Sequence, residues 1–95
     1  MKKFVIERNF PGAGELTQLE LQQISQTSCE ALSKLKNSCH WVHSYVTENK
    51  IYCVYIADSK EIVREHARLG KFPINTISEV TAIIDPTTSN PLLVA

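Results

Sequence analysis

The sequence predicts an α+β domain of element order β-α-β-β-α-β, a four-stranded antiparallel sheet with two helices on one face. Three observations predict it. Residues 40–57 are rich in Val, Ile, Tyr and Trp and are broken only by Thr47-Glu48-Asn49-Lys50, the mark of a β-hairpin. Two segments with helical spacing flank that hairpin, each opened by a side-chain acceptor with a carboxylate three residues on and stopped by left-handed or proline punctuation. Alternating apolar patterns at 4–8 and 77–84 supply the outer strands.

Phe4-Val5-Ile6-Glu7-Arg8 alternates, with Phe4 and Ile6 on one side and Val5 and Glu7 on the other. Pro11-Gly12-Ala13-Gly14 ends this strand with turn chemistry and lacks the further elements of a phosphate loop. Thr17-Gln18-Leu19-Glu20 is a capping box, with Leu16 and Leu21 as its hydrophobic staple. Leu21, Ile24, Ser28, Leu32 and Leu35 then recur at helical spacing over about five turns. Lys34 and Lys36 suit the negative C-terminal end, and Asn37 suits a left-handed cap.

In the hairpin, a two-residue turn at Glu48-Asn49 sets Thr47 against Lys50, Tyr45 against Tyr52 and His43 against Val54. Strict alternation then gathers Trp41, His43, Tyr45, Tyr52, Val54 and Ile56 on one face. Val42, Ser44, Val46, Ile51, Cys53, Tyr55 and Ala57 fall on the other. Asp58-Ser59-Lys60-Glu61 opens the second helix, with Ile62, His66 and Leu69 along one stripe, and Gly70 and Pro73 stop it. The fourth strand, 77–84, is expected to turn Val80, Ala82 and Ile84 toward the helices and Glu79, Thr81 and Ile83 away. Asp85-Pro86 closes it. The result is a ferredoxin-like domain at 1–86, sheet order 4-1-3-2, with a tail at 87–95 whose Leu92-Leu93-Val94 is apolar enough to dock on a second subunit.

Ninety-five residues bury only about 60–65% of their unfolded surface, so a bare sheet face gains much from a partner. Ten basic and ten acidic residues leave no net charge, which argues against a nucleic-acid partner. No apolar run approaches the ~20 residues of a membrane span, and Met1-Lys2-Lys3 leads into a strand pattern rather than a signal peptide. A cytoplasmic protein is expected. Cys29, Cys39 and Cys53 are widely spaced with no CxxC, which argues against a disulfide framework or a zinc ribbon. Reduced, packed thiols are expected, with Cys53 unreactive.

The uncovered face is expected to show Val5, Glu7, Trp41, His43, Tyr45, Tyr52, Val54, Glu79 and Thr81. Two such aromatic faces packed together make a homodimeric α/β barrel, with Trp41, Tyr45 and Tyr52 as the binding surface. His43, Glu7 and Glu79 offer a mixed nitrogen and oxygen shell for a divalent first-row metal, against the plainer role of an interface histidine. His40 and His43 have a ligand spacing, but alternation sends them to opposite faces, so only His43 is expected to bind unless a bulge intervenes. His66 falls on the inner stripe of the second helix, a satisfied core group or a lining of a helix–sheet cleft with Cys53, Ser44 and Tyr55. Nothing in the sequence activates Cys53 as a nucleophile.

A wider set of residues carries a resemblance. Glu7-Arg8 with Pro11-Gly12, Trp41 with Ser44-Tyr45-Val46, and Tyr52-Cys53-Val54-Tyr55 with Ala57 belong to it. So do Ile62, Arg64-Glu65-His66-Ala67, Pro73, Glu79-Val80 and Asp85-Pro86. The set resembles a family of small bacterial proteins, once filed as a domain of unknown function, that includes a nickel-binding, nickel-responsive member. The resemblance implies the ferredoxin-like fold, a dimeric α/β barrel, and binding of nickel or another divalent transition metal. Cys39-His40 and the tail after Pro91 depart from it. The expected function is that of a non-enzymatic, dimeric metal-binding protein. The alternatives are a cofactor-free monooxygenase of the dimeric-barrel type, acting on a small molecule near His66, Ser44 and Tyr55, or a ligand-sensing module. A heavy-metal chaperone would need paired cysteines after the first strand, and an acylphosphatase a phosphate cradle there. Neither is present.

Overall fold

The computed structural model describes residues 1–91. Alternation in β1 (Lys2–Asn9) buries Phe4, Ile6 and Arg8, and alternation in β3 (Lys50–Ala57) buries Ile51, Cys53, Tyr55 and Ala57. These two strands pair side by side at the centre of an antiparallel sheet of order β2-β3-β1-β4, in which β2 spans Cys39–Val46 and β4 spans Thr76–Glu79. That is the order expected, counted from the opposite edge. The buried side chains of the central pair pack with Val63, Ile62 and Leu32 from the helices α1 (Gln18–Ser33) and α2 (Lys60–Gly70), which share this face. A fully buried Phe or Tyr contributes about 1.5–3 kcal/mol or more, so Phe4 and Tyr55 anchor the layer. No helix among the described residues is long and apolar enough to cross a membrane.

Local chemistry explains each helix end. Thr17 Oγ accepts from the Glu20 amide while the Glu20 carboxylate accepts from the Thr17 amide, the expected box. The helix stops at Ser33, two residues short of Leu35 at the end of the predicted stripe, and Lys36 and Asn37 take left-handed φ values of 49° and 67°. Ser59 caps α2 by accepting from the Ile62 amide. Its left-handed terminal residue is Lys71, not Gly70. Gly70 serves a different purpose, because a Cβ there would stand 2.3 Å from the Phe72 ring. The two-residue turn at Glu48-Asn49 forms as predicted, with the Thr47 amide donating to Lys50 O.

Two expectations fail. The alternation of β2 breaks at Val42, which is the extra residue of a β-bulge: Trp41 pairs with Tyr55 while His43 pairs with Val54. Trp41 therefore sits on the helix side, not on the open face. The fourth strand is short and in the other phase: Ile77 pairs with Ile6 and Glu79 with Phe4. Ile77, not Val80, packs on the core. The pairing with β1 ends where Val80 donates to Lys3 O, and Ile83 and Ile84 beyond it are exposed. Residues Pro86–Ser89 form a 3-10 turn capped by Asp85, and the predicted docking of Leu92-Leu93-Val94 lies outside the described residues.

Cys39 and Cys53 are buried and Cys29 is exposed, all three as free thiols, and burial pushes the Cys39 thiol up to about 11. Alkylation of the folded protein should modify Cys29 quickly and leave Cys39 and Cys53 protected until denaturant is added. Mass spectrometry reads this directly, and equal labelling of Cys53 in folded and unfolded protein would contradict its inward position.

Candidate functional site

Register fixes the rows of the open face. Tyr45 lies beside Tyr52, Glu7 and Thr76; His43 lies beside Val54, Val5 and Ser78; His40 lies beside Ile56 and Lys3. Because Val42 absorbs one residue, His40 and His43 share this face, two pleats apart, where unbroken alternation would part them. Both are exposed, and the His43 ring meets the Tyr45 ring edge-on at 4.8 Å. Tyr45 itself is 59% exposed.

The three predicted metal ligands do not converge within one chain. Glu7 shares the open face with His43, but β3 lies between their strands, so the backbones are about 9–10 Å apart. Its carboxylate accepts from Lys50 Nζ, which holds the carboxyl below its usual range, and Thr76 Oγ1 donates to it at 3.4 Å. Glu79 has the phase of Phe4 and Lys2, on the opposite side of the sheet edge, where it pairs with Lys2 at 3.6 Å. Among the described residues, no three His, Cys, Asp or Glu side chains are grouped to hold a metal ion.

The helix side holds a second candidate site. A cavity of about 170 Å³ lies between α1, the sheet and the segment after α2, with apolar walls from Leu21, Ile24, Ile51, Trp41 and Phe72. The Trp41 indole N–H donates to Ser44 Oγ at 2.9 Å, a contact the bulge makes available. Arg8, 4% exposed, reaches into the same region. His66 stands behind it, fully buried, with Nε2 3.1 Å from Ser28 Oγ and its ring stacked on Phe72 and tilted against Tyr55. Of its predicted neighbours it meets Tyr55. Sequence reasoning overlooked Arg8, Ser28 and Phe72, although Arg8 follows Phe4 and Ile6 in strict alternation and that phase points inward.

Fold and site together define a ferredoxin-like α+β protein with one sheet face covered by helices and the other open. A family model described as nickel responsive protein SCO4226-like matches residues 4–80, and the chain belongs to that family. The crystal structure of SCO4226 from Streptomyces coelicolor A3(2) is similar, with a TM-score of 0.73 at 19% identity, covering 86% of this chain and 99% of that one. At that identity the likeness shows the fold alone. No curated protein matches the chain.

His66 makes the stability depend on pH. Burial holds its imidazole below the ordinary 6.5; the Ser28 bond opposes this and the Arg8 charge adds to it. Nδ1 is buried with no partner among the described residues, so the doubly protonated ring would leave an N–H without an acceptor there. As pH falls through about 6.5, the unfolded chain takes up a proton that the folded chain does not, so stability falls and levels off below the folded value. Urea unfolding should show this loss in the wild type and a shallower one in His66→Gln. Identical slopes would contradict it.

Proposed function

We propose that the protein is a nickel-binding, nickel-responsive homodimer that takes its metal through imidazoles of the open sheet face. The bulge at Val42 carries this reading, because it sets His40 and His43 on one side of β2 about 6.6 Å apart along the strand. Two imidazoles at that spacing can turn toward one ion between them. Neutral imidazole with oxygen donors suits nickel better than the scattered, partly buried thiols do. The family description supports the choice of metal.

Two donors are too few for a complete shell, and this supports a second copy as partner. In a two-fold dimer the same patch meets itself, so each protomer offers the other its imidazoles and its Glu7 carboxylate. Glu7 would have to leave Lys50 to join. Glu79, on the far side of the sheet, stands outside this set. The apolar band of Tyr45, Tyr52, Val54, Ile56 and Val5 gives the pairing its driving force, and face-to-face packing yields the dimeric α/β barrel. No catalytic step is needed, and three free thiols suit a reducing, cytoplasmic setting.

Light scattering should give twice the 10.7 kDa chain mass, and Tyr45→Lys should weaken the dimer by leaving a charge in the interface. A monomer at all practical concentrations would contradict it. Calorimetric titration of nickel into tag-free protein should show binding that weakens in mild acid, since imidazole binds metal only when neutral. His40→Ala and His43→Ala should each weaken it about tenfold or more. Unchanged affinity in His43→Ala would remove the proposed site.

A further inference from the structure

We propose that the helix-side cavity binds a small carboxylate whose apolar body is about the size of one ring, with Arg8 as its anchor. The proposal rests on observations separate from the open face, and either can fail alone.

Arg8 is a buried cation whose acceptors carry no carboxylate. Nη1 donates to Pro73 O at 2.5 Å, Nη2 to Tyr55 Oη at 3.4 Å, and Nε to Cys53 Sγ at 3.5 Å. A guanidinium has five N–H donors, and among the described residues these three bonds leave two unused. Among the described residues, the ion pairs are Lys2–Glu79, Lys50–Glu7 and Arg68–Glu65, and none involves Arg8. Burial raises the Tyr55 phenol, with Cys53 adding to the rise, so Tyr55 does not supply the missing charge. The Phe72 ring, 5.3 Å from the guanidinium carbon, gives only cation–π compensation. A charge taken out of water this far ordinarily has an ionic partner.

The cavity beside it is shaped for the rest of such a partner. At about 170 Å³ it is close to a cavity of about 150 Å³ that accepts benzene. Apart from Arg8 its polar groups are few, chiefly the hydroxyls of Ser28, held by His66, and Ser44, held by Trp41. Val46 and Pro73, both exposed, stand at its mouth. One guanidinium fork matches the two oxygens of a carboxylate, whereas a phosphate dianion would call for more charge than this site holds. Gly70 is part of the device, because only a residue without Cβ lets Phe72 close the end of the cavity.

Benzoate is the probe, with neutral benzamide as its control, and both are titrated into the untagged full chain. Trp41, the one tryptophan, lines the cavity and reports occupancy by fluorescence, while amide NMR shifts locate it. Benzoate should saturate at one per protomer. Benzamide, and benzoate with Arg8→Gln, should each bind about tenfold or more weakly. Ile24→Phe, which fills the cavity and leaves Arg8 in place, should also lose benzoate. No response to benzoate at its solubility limit, equal binding of benzamide, or undiminished binding by folded Arg8→Gln would overturn the proposal. If circular dichroism shows Arg8→Gln unfolded, undiminished benzoate binding by folded Ile24→Phe would overturn it.

Discussion

One extra residue in an edge strand decides what each face of this sheet presents. Without Val42 as an unpaired insert, the hairpin could not place Trp41 inside and His43 outside, since plain alternation puts residues 41 and 43 on one face. The bulge leaves Trp41 opposite Tyr55, His43 opposite Val54 and His40 opposite Ile56. An indole therefore walls the interior cavity while two imidazoles line the exterior. Bulges re-aim side chains in this way at sheet edges, and β2 is an edge strand. The partial exposure of Val42 itself, at 44%, fits a residue that serves position rather than packing.

The interior depends on a second constraint, the seating of Phe72. Gly70 leaves room for that ring, and the left-handed Lys71 turns the chain so that Phe72 stacks on His66 and faces Arg8. Pro73 then offers its carbonyl to the guanidinium. Four consecutive residues from the last of α2 onward, Gly70 to Pro73, thus tie the helix layer to β1 around a cation rather than around further hydrocarbon. Cores of small domains seldom spend burial on a charge, and this one does so beside an interior cavity.

Much of the fold was legible in the sequence because its signals are local. The capping box at Thr17, the polar start of α2 at 58–61, the two-residue turn and the alternation of β1 and β3 each depend on residues a few positions apart. What was not legible depends on distant partners. A bulge at Val42 leaves no mark in a run of Val, Tyr and Trp that reads equally well as regular strand. The true phase of β4 is set by Ile77 meeting Ile6, which its own alternation does not encode. Those two errors moved Trp41 and Glu79 to the wrong faces and parted His40 from His43. The inward phase of Arg8 was legible, but a charged residue at the end of a strand reads by default as solvated.

The claim that a single bulge creates the metal face is tested most directly by anomalous diffraction at the nickel edge, from crystals of untagged protein grown with nickel. The account predicts a peak on the open sheet face against the imidazoles of His40 and His43 of the same strand. A peak held by His43 with His40 turned to the other side of the sheet, or nickel bound only at the cysteines or the chain terminus, would contradict it.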